Sequence, residues 1–244
     1  MAEVLLEGAI SVKAALEGGS RTVLEIGVDQ KKRSRDFGYI LNLAHRKNVP
    51  VTPMSKEEID RVCPDGSSGG IFARAGARTY LEPSELLQVP QPFIVLLEGI
   101  EDPFNYGYAV RSAYAAGATG LLIPPRTWEN AEGTVIRSSA GASEKIPTAT
   151  AKDFAPFLEE AHTRNVRILA ADRRDAVPLY GTDLTGPILL AIGGRLRGLS
   201  RSVYDRADQR VYIPYGNDFR NALTASGACA VMAFEALRQR MEKE

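Results

Sequence analysis

Cysteine and histidine are scarce in this 244-residue sequence, with two of each. Cys63 and Cys229 lie far apart and form no CxxC or Cys/His cluster, so neither a zinc site nor a disulfide framework is expected. His45 and His162 stand alone and read as ordinary helix residues. An excess of one charge is missing as well. Thirty basic side chains balance thirty acidic ones, so an RNA partner would need a local basic face. No apolar run approaches the ~20 residues that span a bilayer. The opening Met1-Ala2-Glu3-Val4 lacks the basic stretch of a secretion signal. These absences lead us to expect a cytoplasmic protein with no metal and no membrane partner. What is present, 44% hydrophobic and 25% charged residues, suits a globular chain with one large domain or two modest ones.

Helix-like and strand-like segments alternate through the first 80 or so positions. Ser11 to Leu16 reads as a short amphipathic helix stopped by Gly18-Gly19, and Thr22 to Val28 as a buried strand. Phe37, Ile40, Leu41 and Ala44 recur at helical spacing, and Val51 to Met54 reads as a strand. Ser55-Lys56-Glu57-Glu58 has the pattern of a capping box. Pro83, Pro90 and Pro92 then predict an extended, semi-rigid connection. The expected division is a domain over 1–82, a linker over 83–92 and a second domain over 93–244. In the second domain Phe93–Leu97, Gly120–Ile123, Val166–Ala170, Ile188–Ile192 and Val211–Ile213 read as strands. Helices are expected over 106–116, 130–139, 152–164 and 221–240. Near-continuous apolar strands between helices predict a parallel sheet covered on both faces, an α/β fold.

Ligands of such sheets collect at the carboxyl ends of the strands, and three strand-exit loops stand out. Asp102-Pro103-Phe104-Asn105-Tyr106-Gly107 starts a helix that carries Arg111, with proline at a position where helices tolerate it. Gly193-Gly194-Arg195-Leu196-Arg197-Gly198 follows a buried strand, but its spacing does not fit GxGxxG and the P-loop pattern is absent. Ile213-Pro214 leads through Tyr215 to Arg220 into a helix that begins with small residues, Ala222 to Ala228. Taken alone, the first loop reads equally as a capped helix with a surface arginine, the second reads more readily as a plain glycine turn, and close packing accounts for the third.

In order and spacing, the three loops together resemble the motifs of the SpoU-type (TrmH-like) RNA 2′-O-ribose methyltransferases of the SPOUT class. Asp102 to Gly107 with Arg111 matches motif one, Leu189 to Gly198 motif two, and Ile213-Pro214 with Ala222 to Ala228 motif three. Arg137-Ser138-Ser139-Ala140-Gly141-Ala142 also looks like the family. So do Glu7-Gly8 and Gly69-Gly70-Ile71-Phe72-Ala73, which resemble its L30e-like RNA-binding module. The resemblance implies a deep trefoil knot, a homodimer through the knotted domain and S-adenosylmethionine bound by motifs two and three. It places Ile192, Gly193, Gly194, Gly198, Ile213, Pro214 and Leu223 at the cofactor, with Gly193, Ile213 and Leu223 contacting it through their main chain. A side chain at Gly193 would then occupy cofactor space and leave the fold intact. Asn105 and Arg111 become the catalytic pair. Asn105 would orient the arginine or the ribose, and Arg111 would hold phosphate and the developing alkoxide, since a guanidinium is effectively always protonated.

The chain departs from the family in two motifs. Arg195 stands where motif two usually carries glutamate, and Ala222-Leu223-Thr224-Ala225-Ser226 replaces Ser-Leu-Asn-x-Ser. Arg195, Arg197 and Arg201 either form an enlarged phosphate grip or mark a site that binds RNA but turns over poorly. Two functions follow: methyl transfer to a ribose of rRNA or tRNA, or catalytically weak RNA binding. Lys31, Lys32, Arg33 and Arg35 form the densest basic cluster and, with Arg137, Arg195 and Arg197, are the expected RNA contacts. Arg173-Arg174 reads as surface. Trp128, Tyr106 and Tyr108 are candidates for stacking on a splayed base, and Cys229 reads as core.

Overall fold

A computed structural model of the chain describes residues 3–64, 66–125 and 131–243. Its elements run β1 (Val4–Glu7), α1 (Gly8–Gly18), β2 (Val23–Asp29), α2 (Arg35–Arg46), β3 (Val51–Met54), α3 (Lys56–Val62) and β4 (Ile71–Ala75). They continue with β5 (Phe93–Glu98), α4 (Pro103–Ala115), β6 (Gly120–Ile123), α5 (Glu132–Ser138), α6 (Ala142–Lys145) and β7 (Thr148–Thr150). The last are α7 (Ala155–Thr163), β8 (Arg167–Ala171), β9 (Val177–Pro178), β10 (Ile188–Gly193), α8 (Arg201–Tyr204), β11 (Gln209–Tyr212) and α9 (Ala225–Met241). Trp128 lies outside the described residues.

The chain forms two compact units. One comprises Met1–Thr79 and Asn130–Lys145, the other Tyr80–Glu129 and Ile146–Glu244. The first holds a four-stranded sheet in the order β1-β4-β2-β3, in which only β2 and β3 run parallel. Helix α2 starts where the Ser34 side chain accepts the Phe37 N–H at 3.1 Å, and it buries Phe37, Ile40, Leu43 and Ala44. The Ser55–Glu58 capping box forms as its spacing predicts. Two strands of this unit escaped the sequence reading. The Gly69–Ala73 stretch, singled out only for its family resemblance, runs into β4, and β1 is a four-residue strand too short for periodicity to show.

The proline-rich stretch is not a free connection. Pro83–Leu87 folds into a 3₁₀ turn, Leu86 and Leu87 are buried in the core of the second unit, and Leu81 pairs with Ala149. Prolines set the backbone there, but two leucines give it an apolar face to bury. The segment containing α5 and α6 also departs from the expected boundary, because it packs in the first unit. Its Ile136 is fully buried in the same core as Leu16 and Ile40. Glu144 anchors it, accepting from Arg21 Nε at 2.9 Å and from the Ser20 hydroxyl at 2.7 Å, and pairing with Arg78; Arg21 also pairs with Glu132.

The second unit carries a parallel seven-stranded sheet in the order β7-β6-β5-β10-β8-β11-β9. Central strands β5 and β10 are buried along almost their whole length, as their uninterrupted apolar sequences require. β6 and β7 extend the sheet to one side of β5, whereas β8, β11 and β9 lie beyond β10. The reversal at β5 and β10 is the topological switch point at which such sheets bind ligands. Helix α9 begins at Ala225 rather than near residue 221, because the Thr224 side chain caps it by accepting the Gly227 N–H at 3.1 Å. It packs on α4, where the Cys229 thiol meets the Ala109 carbonyl at 3.4 Å. Burial pushes that thiol up to about 12, as befits the core position expected of it.

Breaking the Glu144 cluster should be costly. Burial alone would raise the Glu144 carboxyl, but Arg78, Arg21 and Ser20 outweigh burial and hold it below the usual carboxylate range. A carboxyl depressed by folding stabilises fully above its unfolded value and loses that stabilisation as pH falls through its folded value. Glu144→Ala leaves Arg21 buried without its main partner and should cost about 3–5 kcal/mol in urea unfolding at neutral pH. The gap between variant and wild type should narrow on acidification.

Candidate active site

Two loops at the switch point touch through their backbones. The Gly194 N–H donates to the Glu98 carbonyl at 2.7 Å, the Gly198 N–H to the Gly194 carbonyl at 2.9 Å, and the Ser200 N–H to Glu98 Oε2 at 2.8 Å. Glu98 therefore holds the turn after β10 at both ends, with its carbonyl and its carboxylate. No side chain fits between the loops: a Cβ on Gly194 would lie 1.8 Å from the Gly99 carbonyl oxygen. Gly193 is needed for the same kind of reason, since its Cβ would meet the backbone of Gly198 and Leu199 at 2.5 and 2.6 Å. That corrects the expectation that bulk at Gly193 would fill cofactor space and spare the fold. It would displace the turn itself.

A cavity of about 250 Å³ opens beyond the carboxyl ends of β8, β10 and β11. Ile192, Gly193, Gly194, Gly198, Ile213 and Leu223 line it, six of the seven residues expected at the cofactor; Pro214 is not among its lining residues. The lining also includes Asp172, Tyr204 and Tyr215, to which the sequence reading gave no role, and Arg173, which it read as surface. Their signal was available, because Asp172-Arg173 directly follows β8 at the ligand-binding edge of the sheet. Burial would raise the Asp172 carboxyl, but the Arg174 and Arg173 N–H groups and the Tyr204 hydroxyl hold it below the carboxylate range. Arg173 lies over the Tyr215 ring, 5.2 Å from its centroid, and donates to the Arg220 carbonyl at 3.0 Å. The Tyr215 hydroxyl accepts the Leu223 N–H at 3.1 Å, so the segment between β11 and α9 is pinned across its own span.

Motifs one and three meet at the first turn of α9. Asp102 caps α4 by accepting the Asn105 N–H at 2.7 Å. Asn105 Oδ1 accepts from both the Ser226 hydroxyl and the Ser226 N–H, next to cavity residues Ala225 and Ala228. Asn105 is thus bound to Ser226, and among the described residues Arg111 has no hydrogen bond or ion pair; it is exposed on α4.

The three loop arginines do not form one grip. Arg195 borders the cavity, Arg197 lies 3.6 Å from Glu101 beside a separate hollow, and Arg201 pairs with Asp205 at 3.3 Å. In the first unit Lys32 donates to the Gly69 carbonyl and Arg33 to the Gln30 carbonyl at 2.7 Å, so both tie down their own turn. Lys31, Arg35 and Arg137 are exposed in the same unit. Tyr106 is buried, as packing requires, and Tyr108 is exposed.

The cavity suits S-adenosylmethionine. Ile192, Leu199, Leu223 and Met232 offer an apolar wall for an adenine, Asp172 an anion for a cationic group, and Arg173 a cation for a carboxylate. Residues 92–234 match the SpoU rRNA Methylase family, and residues 5–81 match the RNA 2′-O ribose methyltransferase substrate binding family. The chain belongs to the SpoU rRNA methylase family. It is 30% identical to the 23S rRNA (guanosine-2′-O-)-methyltransferase RlmB of Xanthomonas campestris, over 96% of each chain. It is 31% identical to the protein of the same name from Ralstonia nicotianae, over 97% of this chain and 96% of that one. Its fold is also that of the SpoU methyltransferase AviRb of Streptomyces viridochromogenes in complex with AdoMet. That structure superposes with a TM-score of 0.79 at 23% identity, over 98% of this chain and 91% of AviRb.

Overpacking the loop contact should show in binding and stability together. Gly194→Ala should abolish the heat of S-adenosylmethionine binding in calorimetric titration. It should also destabilise the protein by about 1–3 kcal/mol, the usual cost of forcing bulk into a packed position.

Proposed function

We propose that the protein methylates the 2′-hydroxyl of a guanosine ribose in ribosomal RNA, with S-adenosylmethionine as methyl donor. The observation that carries this reading is the junction of Asn105 with Ser226, which fixes the catalytic helix α4 against a cavity suited to the donor. Ribosomal RNA and guanosine are favoured by the names of relatives aligned over nearly the whole chain. S-adenosylmethionine supplies a methyl group activated by its sulfonium. The protein holds the reacting groups in line, a contribution worth up to ~7–11 kcal/mol when orientation is good. Arg111 donates hydrogen bonds to phosphate and to the oxygen on which charge develops. Lys31, Arg35 and Arg137 supply exposed positive charge in the unit that matches the substrate-binding family.

The proposed assembly is a homodimer through the second unit. Exposed Phe104, Tyr108 and Tyr114 on α4, together with Phe234 and Met241 on α9, support it. The insertion of β10 between β5 and β8, with α9 returning to pack on α4, supports the trefoil-knotted path.

Ribosomal RNA from cells lacking the protein should gain ribose methylation when incubated with protein and S-adenosylmethionine, as read by mass mapping. Arg111→Ala should lower that rate by about 10²–10³-fold, the scale for losing one donor to a developing oxyanion. The heat of cofactor binding should not change. RNA binding without any methylation would favour the weak-enzyme reading.

Arg195 is proposed to contact substrate phosphate from the cavity rim. Arg195→Glu should weaken RNA binding and make the dependence of log affinity on log salt shallower by ~0.7 for a single strand. Affinities measured at several salt concentrations test this, and an unchanged slope would remove Arg195 from the RNA interface.

A further inference from the structure

Asp172 and Arg173 leave the carboxyl end of β8 side by side, and both line the cavity of about 250 Å³. Their charges are opposite, yet among the described residues neither forms an ion pair, with the other or with any third side chain. Asp172 Oδ1 instead accepts the Arg173 N–H at 2.6 Å and the Arg174 N–H at 3.0 Å, and the Tyr204 hydroxyl donates to the same carboxylate. A carboxylate accepts about four hydrogen bonds, so these three leave room for one more donor.

The Arg173 guanidinium is oriented by two contacts. It lies over the Tyr215 ring, 5.2 Å from the centroid, and its Nη1 donates to the Arg220 carbonyl at 3.0 Å. That hydrogen bond occupies one N–H of a planar fork and leaves the others for a ligand. Both contacts belong to the strap 213–224 between β11 and α9, which lines the cavity through Ile213, Tyr215, Ala222 and Leu223. Residues 216–224 of the strap are exposed. Its remaining ties are internal, from the Leu223 N–H to the Tyr215 hydroxyl at 3.1 Å and between the Tyr215 and Phe219 rings at 5.9 Å. Arg195, the other guanidinium of the lining, has no hydrogen bond or ion pair among the described residues to orient it.

An α-amino acid carries an ammonium and a carboxylate on one carbon. Consecutive residues that line one cavity with a carboxylate and a guanidinium offer the complementary pair at matching spacing. A carboxylate only accepts and a guanidinium only donates, so each takes one end of such a head group and neither takes both.

We propose that Asp172 and Arg173 receive the amino-acid head of S-adenosylmethionine, Asp172 accepting from the ammonium and Arg173 donating to the carboxylate. Because Arg173 also holds Tyr215 and Arg220, the same contact steadies the strap. The proposal rests on the methyl-transfer reading above and adds, outside the three motif loops, the residues that select a ligand with an amino-acid head.

Calorimetric titration of the full-length protein with S-adenosylhomocysteine and with 5′-methylthioadenosine tests it. Both compounds carry adenosine and a neutral thioether, and they differ in the amino-acid head. The wild type should favour the first by about 100-fold, the scale of two charge-assisted hydrogen bonds. Arg173→Gln should cut that preference by about tenfold through the first compound alone, and Asp172→Asn should cut it as well. A merely structural role would weaken both compounds alike. At saturating ligand, hydrogen exchange over residues 216–223 should be slowed by S-adenosylhomocysteine in the wild type, but not by 5′-methylthioadenosine and not in Arg173→Gln. Equal wild-type affinities, parallel losses for the two compounds, or an Arg173→Gln variant that keeps the preference overturn the head-group assignment and leave the cofactor reading standing. Equal protection of the strap by both compounds overturns its link to Arg173. No heat with either compound or with S-adenosylmethionine overturns the cofactor reading as well.

Discussion

The close approach of the loops after β5 and β10 is the constraint on which the site depends. Glu98 takes Gly194 through its carbonyl and Ser200 through its carboxylate, and glycines at 99 and 194 let the two backbones meet. This contact is made at the switch point of the sheet, where the order β6-β5-β10-β8 turns the chain in opposite directions. Crevices form there because neighbouring loops leave on opposite sides. Here the shared wall between two crevices is a single turn, residues 194–198, pinned at both ends. Glycine at these positions answers a demand of backbone packing first, and the cavity shapes are its consequence.

The second unit was largely legible in the sequence because its strands are buried on both faces. Uninterrupted apolar runs such as Phe93–Leu97 and Ile188–Ile192 announced both the strands and their parallel arrangement. Capping signals are local and fared equally well, with Ser55 and Asp102 both starting helices as their spacing requires. What stayed hidden depends on contacts distant in sequence. Nothing near residue 144 says that its carboxylate will meet Arg21 and Arg78 and carry α5 and α6 into the first unit. Nor does the proline-rich stretch disclose that Leu86 and Leu87 will be buried.

The site divides in the same way. The cofactor residues lie in loops whose sequence carried a family pattern, and six of the seven line one cavity. Asn105 and Arg111 came from that pattern too, but their partners did not. The partner of Asn105 is Ser226, 121 positions away. The arginines of the β10 loop invited a joint role by proximity in sequence, yet side chains at 195 and 197 border different spaces. Spacing along a turn gives nearness of the backbone, and the direction of each side chain depends on the loop it packs against.

Balanced net charge conceals an uneven distribution of charge between the two crevices. In the first, the Asp172 carboxylate accepts from two backbone N–H groups and Tyr204, and Arg173 and Arg195 add guanidinium groups to the same lining. In the second, Glu98 and Glu101 stand against Arg197. Positive charge in the first lining and on exposed Lys31, Arg35 and Arg137 would attract a polyanion, because phosphate attraction is not selective. A carboxylate that faces RNA would oppose that attraction unless it met hydrogen-bond donors. Single-stranded RNA offers such donors on its base edges and at its ribose 2′-hydroxyls. Acidic groups at the edge of an RNA site therefore weaken binding to backbone in general and favour the nucleotide that turns the right edge toward them.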